Sequence, residues 1–303
     1  MLILDGGTGR ELARLGAPFR VPEWSALALI EGPAFVQQVH AGYLAAGADV
    51  VTTNSYAVVP FHIGAERFAR QGERLAALAG ALARRAVAQS ARTGVRVAGS
   101  LPPVCGSYRP DLFDAEAARP VLETLVRGLR PYVDVWLAET MSTTDEADLV
   151  RAVIGEDPRP LWLSFTLRDA GAVPDRPALR SGESVDQAVR TALAVGAEAL
   201  LFNCSQPEVM ADALRLARSL LAATGWKLTL GVYANAFPPQ PADADASGGL
   251  DPIRSDLDPS GYLDFAQRWA SSGADIIGGC CGIGPEHITA LARARDVRLL
   301  QSG

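Results

Sequence analysis

The chain has 303 residues, 49% of them hydrophobic, which is enough for a sizeable core in one large domain or two small ones. Its net charge of -6 is spread along the sequence without a basic run, so a nucleic-acid partner is not expected. MLILDGGTGREL lacks the pattern of a secretory leader, no apolar run is long enough to span a bilayer, and four sparse cysteines suit reduced thiols; the expectation is no membrane partner and a cytoplasmic location.

Short apolar runs alternate with helix-length stretches. LILD at 2–5 is the first run, followed by a helix at 33–46 that opens on Pro33 and closes before Gly47. DVVTT at 49–53 leads to an Ala, Leu and Arg-rich helix at 66–92. VRVAGS at 95–100 precedes a helix at 115–128, and DVWLAE (134–139) and PLWLSF (160–165) follow. Next come a helix at 184–196, EALLFN at 198–203, a helix at 207–224 and KLTLGV at 227–232. The Pro- and Asp-rich stretch 237–261 is a long loop, after which a helix at 261–273 leads into ADIIGG at 274–279. His287 falls in the first turn of the last helix. The phrases AAGAD, AVGAE and SSGAD each end a helix on glycine and start a strand.

The eight apolar runs are continuous rather than alternating, as in parallel strands covered on both faces. Eight strand–helix units predict a single-domain (β/α)8 TIM barrel over residues 1–303. The alternative, a doubly wound open sheet, lacks its GxGxxG fingerprint: DGGTG after the first strand has the wrong spacing.

In such a barrel, functional side chains gather at the C-terminal strand ends. Cys204 follows the sixth strand, and Cys280 and Cys281 follow the eighth. Three converging thiolates repel one another unless a cation joins them. Zinc accepts sulfur ligands in a tetrahedral shell, and three protein ligands leave one position open. Adjacent residues on a strand point to opposite faces, so Gly278, Gly279 and Gly282 are expected to supply the backbone freedom that turns both sulfurs to one ion. Buried unligated thiols, a strained disulfide, or a nucleophilic cysteine served by His40, His62 or His287 are the other readings of these residues. Cys105, after the third strand, is expected to be a buried or lining thiol and not a fourth ligand.

A sulfur-rich zinc site is a poor generator of hydroxide but holds an incoming thiol as thiolate, which points to alkyl transfer to sulfur. The remaining strand ends suit an amino-acid thiol. Asp5 and Glu139 could hold an ammonium group; Gly6, Gly7, Thr53, Asn54 and Ser55 could offer donors to a carboxylate, with Asn203 and Asn235 nearby. Asp5 could instead be a helix N-cap.

LDGGTGREL (4–12), TTNSY (52–56), AETM (138–141), NCS (203–205) and GGCCG (278–282) occur in an order that closely resembles the zinc-dependent homocysteine S-methyltransferases. The resemblance covers essentially the whole chain. It implies a (β/α)8 barrel, one zinc ion per chain on Cys204, Cys280 and Cys281, homocysteine sulfur at the open position, and its amino group on Asp5 and Glu139. Gly6, Gly7 and the Thr53 region would bind the rest of the amino acid. Thr140 follows Glu139 where the betaine-dependent members have an aromatic residue, so the resemblance favours S-methylmethionine, or S-adenosylmethionine, as methyl donor. Tyr56, Trp136, Phe165 and Tyr233 are the aromatic candidates for holding a cationic donor. After the seventh strand YANAFPPQP keeps Asn235 but departs from the family's Asn-Ser-Gly-Glu segment, leaving a betaine-type donor or a non-catalytic zinc- or thiol-binding barrel as alternatives. The expected partners are small molecules, with the chain a monomer or weak homo-oligomer.

Overall fold

Strand and helix alternate around one closed sheet. In the computed structural model, which describes residues 1–169, 171–172, 176–240 and 252–301, β1 (Leu2–Ile3) is followed by α1 (Thr8–Arg14), α2 (Ser25–Glu31) and α3 (Pro33–Ala46). β2 (Val50–Thr52) leads to α4 (Pro60–Ile63) and α5 (Ala65–Gln89), and β3 (Arg96–Leu101) to α6 (Ala115–Leu129). β4 (Val135–Met141), α7 (Thr144–Ile154), β5 (Leu161–Phe165), α8 (Val185–Ala194), β6 (Ala199–Asn203) and α9 (Pro207–Thr224) continue the alternation. It ends with β7 (Thr229–Tyr233), α10 (Pro259–Ser271), β8 (Ile276–Ile277) and α11 (Pro285–Gln301). Residues 241–251 of the expected 237–261 loop lie outside the described residues.

Every strand pair is parallel. β1 pairs with β8 through Leu2–Ile276 and Ile3–Ile277, and Leu4 bridges to Val50 of β2. That bridge joins the two ends of the strand order and closes the barrel, which rules out an open doubly wound sheet. The structure is the (β/α)8 barrel that the eight apolar runs predict. No helix among the described residues is long and apolar enough to cross a membrane.

Burial separates the two faces of each strand. Val135 and Leu137 pack inside the barrel with Leu4, Val50, Trp162 and Leu201, while Trp136 and Ala138 pack outward under the helices. Because strand side chains alternate, this phase carries the next inward position, Glu139, into the mouth of the barrel. The helices begin where the sequence supplies caps: Asp114, Thr143, Ser184 and Asp258 each accept backbone N–H groups at the starts of α6, α7, α8 and α10. The glycines of AAGAD, AVGAE and SSGAD take left-handed φ values of 106°, 68° and 100°, ending each helix as expected.

The strands predicted at 2–5 and 274–279 are shorter, two residues each, because the chain beyond Ile3 and Ile277 turns into the mouth. The helix predicted at 66–92 ends at Gln89, where Ser90 takes an extended conformation and closes the last turn with its N–H on Val87.

Candidate active site

The C-terminal strand ends enclose a cavity lined by nine of the twelve residues expected to hold metal or substrate: Asp5, Gly6, Gly7, Thr53, Asn54, Glu139, Cys204, Cys280 and Cys281. Ser55, Asn203 and Asn235 do not line it. They are fully buried in the frame beneath it. Ser55 Oγ donates to the Ser100 carbonyl at 2.8 Å. Asn203 Oδ1 accepts from the Thr140 N–H at 2.9 Å and from Ser164 Oγ at 2.7 Å, tying β4, β5 and β6 together. Asn235 Oδ1 accepts from the Phe237 N–H at 3.2 Å and shapes the turn after β7.

The ligand atoms of Cys204, Cys280 and Cys281 all lie within 4.8 Å of one another. The sulfurs of Cys280 and Cys204 are 2.9 Å apart. The backbone freedom expected of all three glycines is present only at Gly282, with φ +86°. Gly278 and Gly279 are needed for space instead: a Cβ at Gly279 would meet Ile283 Cγ2 at 2.2 Å, and one at Gly278 would meet Leu4 Cβ at 2.4 Å. Cys204 itself takes a left-handed φ of +52°, which reverses the β6 alternation and turns its sulfur to the others. Hydrogen bonds with Cys204 and Cys280 hold the Cys281 thiol well below its ordinary range, while bonds with Cys204 and Cys281 push Cys280 well above it. One charge is thus favoured in the cluster and further ionisation is opposed, unless a soft cation takes all three sulfurs. A tetrahedral shell with bonds of about 2.3 Å spaces its sulfurs about 3.8 Å apart, inside the 4.8 Å within which the three sulfurs lie. The donor set therefore fits zinc.

Two carboxylates face the same cavity. Asp5 accepts the Thr52 backbone N–H at 2.7 Å and the Thr52 hydroxyl at 2.9 Å. It is not the N-cap of α1, a place held by Gly7. Glu139 accepts from Ser100 Oγ, and from Tyr233 OH at 3.3 Å. Burial raises both acids to about 7, against the hydrogen bonds from Thr52 and Ser100 that lower them. A cation placed between them would relieve that cost.

Several expected donors are already engaged. The Gly7 N–H donates to the Ile283 carbonyl at 2.9 Å, and the Thr53 N–H to the Ala98 carbonyl at 2.9 Å. Thr53 Oγ1 accepts the Ser100 N–H at 3.0 Å, and Asn54 Nδ2 donates to the Ser25 carbonyl at 3.0 Å. Of the aromatic candidates, Tyr56 and Tyr233 line the cavity. Trp136 and Phe165 do not: both belong to the outward-facing layer, and Trp136 carries the Arg159 guanidinium over its ring at 5.1 Å. Cys105 is a half-buried thiol outside the cavity lining, its sulfur 3.8 Å from the Asp114 carbonyl. His40 is wholly buried in α3, and His287 braces α11, its Nε2 3.0 Å from the Leu257 carbonyl. His62 does line the cavity, with Nδ1 2.8 Å from the Pro22 carbonyl.

Residues without a role assigned from the sequence complete the lining. Arg10 is its one Lys or Arg among the described residues, with its guanidinium 5.4 Å from the Phe237 ring centroid. Trp24 presents a buried indole N–H without a hydrogen-bond partner among the described residues. Tyr108 donates to Cys204 Sγ at 3.0 Å and to the Cys204 carbonyl at 3.2 Å. Burial pushes its phenol well above the usual tyrosine range, so it is a donor here rather than an anion. Among the described residues, the non-glycine positions with left-handed φ are Trp24, Tyr108, Thr140 and Cys204, and all four line this cavity. Backbone strain concentrated in one place marks a site that the surrounding fold holds in position.

The sequence model of a family described as homocysteine S-methyltransferase matches residues 2–295. A homocysteine S-methyltransferase of Escherichia coli is 30% identical over 309 residues, covering 96% of this chain and 94% of its own. A selenocysteine methyltransferase of Astragalus bisulcatus is 26% identical over 336 residues, covering 99% of this chain and 93% of its own. Among solved structures, the metallated form of the homocysteine methyltransferase MmuM from Escherichia coli superposes with a TM-score of 0.73 at 29% identity, covering 97% of this chain and 96% of that one.

Proposed function

The chain belongs to the homocysteine S-methyltransferase family, and from that premise we propose that it moves a methyl group from S-methylmethionine to the sulfur of L-homocysteine, with S-adenosylmethionine as a second donor. The observation that carries this reading is the meeting of Cys204, Cys280 and Cys281 in one cavity with Asp5 and Glu139. We take residues 1–303 as one catalytic domain, since the family match spans 2–295, and we place it in a compartment that keeps its four free cysteines reduced.

Cys204, Cys280 and Cys281 would hold one zinc ion, whose soft positive charge, when bound, lets homocysteine sulfur exist as thiolate at neutral pH. The metallated relative supports that assignment. Asp5 and Glu139 take the homocysteine ammonium between them, which fixes the amino acid and lets both acids ionise. Arg10 supplies the positive charge for a substrate carboxylate, with the Trp24 indole N–H as a further donor. The rings of Tyr56 and Tyr233 offer faces to a sulfonium centre, and the apolar walls keep water from competing for the methyl group. The homocysteine thiolate attacks the methyl carbon as the carbon–sulfur bond of the donor breaks. The bonding pair leaves on the donor sulfur, which becomes a neutral thioether. With S-methylmethionine both products are methionine, and the thiol proton is released to solvent.

Thr140 after Glu139, rather than an aromatic residue, supports the sulfonium donor over betaine. Zinc-loaded protein should form methionine from homocysteine with S-methylmethionine, more slowly with S-adenosylmethionine, and not with betaine. Cys204→Ser and Cys281→Ser should lose zinc and turnover together. Full zinc occupancy without methyl transfer from any of the three donors would leave a thiol-binding protein.

A further inference from the structure

Tyr108 reaches the sulfur cluster from a part of the chain that carries no family motif, the loop between β3 and α6. Its hydroxyl touches a metal-ligand candidate, Cys204, at both the sulfur (3.0 Å) and the carbonyl (3.2 Å). Behind its ring stands a cation: the Arg180 guanidinium carbon lies 4.5 Å from the ring centroid. Arg180 is itself buried and paired with buried Asp169 at 3.6 Å. Sequence distance makes this arrangement costly to assemble. It draws on the loops after β3 and β5 and on the end of β6, and it buries an ion pair, a class of contact whose desolvation can exceed its attraction.

The chemistry of the cluster gives the arrangement a role. Three thiolates around a divalent ion leave a net charge of about -1, and a visiting thiolate makes it about -2. Nothing in that shell offsets the excess. An O–H group donating to one sulfur draws electron density off it, and a guanidinium over the ring face makes the phenol a stronger donor. The double contact to Sγ and the carbonyl also fixes the left-handed backbone at Cys204, on which the direction of its sulfur depends.

Resting on the zinc reading above, we propose that Tyr108, backed by the Arg180–Asp169 pair, is a positioning residue for the metal centre: it aims the Cys204 sulfur and withdraws charge from it, so that the ion binds tightly yet still accepts a fourth thiolate. Tyr108 does not touch the reacting methyl group in this scheme. It acts through Cys204.

Tyr108→Phe keeps the ring and removes only the hydroxyl. In the full chain it should weaken zinc binding about 10- to 100-fold in competition with a chromophoric chelator, the usual effect of losing an outer hydrogen bond to a metal ligand. In the cobalt-substituted protein the sulfur-to-metal charge-transfer band should move to longer wavelength, since an unbonded thiolate is easier to oxidise. Proton release on homocysteine binding should shift to higher pH. Arg180→Lys, which keeps the charge but loses the planar stack, should give smaller changes in the same directions. Wild-type zinc affinity and an unshifted cobalt band in Tyr108→Phe overturn the proposal, and so does a lowered thermal midpoint with no change in the band, which would mean packing alone. A wild-type chain that takes up neither metal removes the zinc reading and this role with it.

Discussion

Cys204 and Cys280 stand 76 residues apart in sequence and 2.9 Å apart at their sulfurs. Two thiols that near are poised either to share a cation or to be oxidised together. Metal-stripped protein treated with a mild disulfide reagent should therefore lose two of its four titratable thiols: the reagent takes two electrons and the two thiol protons are released. Zinc-loaded protein should keep all four over the same time. Equal thiol loss in both preparations would argue against a shared ion, because a bound metal ties up the thiolate lone pairs that attack the reagent.

Glu139 is held in place by Ser100 and Tyr233, so changing its charge need not change its position. Glu139→Gln keeps the shape and removes one of the two charges that face the substrate ammonium. Loss of a charge-assisted hydrogen bond in a buried site costs about 2–3 kcal/mol, or about 30- to 150-fold in kcat/KM for homocysteine. The same variant should lose almost nothing with 4-mercaptobutyrate, which has the thiol and carboxylate but no amino group. Equal losses with both thiols would place Glu139 in the frame rather than on the substrate.

Arg10 lies on α1, stacked against Phe237 from the turn after β7. If its guanidinium meets a substrate carboxylate, Arg10→Met should raise KM about 10- to 100-fold for the substrate whose carboxylate it holds. Pairing homocysteine with 3-aminopropanethiol, and S-methylmethionine with trimethylsulfonium, separates the possible sources, since the second member of each pair lacks the carboxylate. A rise confined to homocysteine assigns Arg10 to the acceptor, and one confined to S-methylmethionine assigns it to the donor. Equal losses with all four compounds would reduce Arg10 to packing on Phe237.

The barrel was legible because its strands are buried on both faces and its helix ends carry glycine or a capping side chain, all local signals. The three ligand candidates and both carboxylates were legible for a related reason: each lies within a few residues of a strand end, where the fold itself delivers it to the mouth. Tyr108 and Trp24 were not, since their loops have no period and their arrival depends on tertiary packing; Arg10 stood inside the LDGGTGREL motif, but nothing in its helical position foretold that it would line the cavity. Asn203 was placed on the right strand but given the wrong task. Its inward position is occupied by bonds to Thr140 and Ser164, which periodicity cannot foresee. Gly278 and Gly279 show a similar limit. Sequence marks a glycine pair, but only the packed structure shows that Leu4 and Ile283 leave no room for a Cβ.

Glu146 closes the capping box of α7, its Oε2 accepting the Ser142 N–H at 2.6 Å and the Thr143 N–H at 3.1 Å. Burial nevertheless raises its acid from 4.5 to about 7, outweighing those two bonds. Below pH 4.5 the folded and unfolded chains both hold the proton, and the shift costs nothing. Between 4.5 and 7 the unfolded chain ionises while the folded chain stays protonated, so stability falls as pH rises through that window and levels off above it. A gap of this size corresponds to about 3 kcal/mol when fully expressed. Glu146→Gln retains an oxygen acceptor for the cap and cannot ionise. Asp5 and Glu139 add pH dependence of the same sign to both proteins, so comparison with the variant isolates Glu146. Urea unfolding at pH 4.5 and pH 8 should show the wild type losing stability relative to Glu146→Gln, by up to about 3 kcal/mol. Parallel stability curves would mean that the folded chain carries an ionised Glu146 without penalty, with the two backbone N–H groups of its cap sufficient to hold the charge.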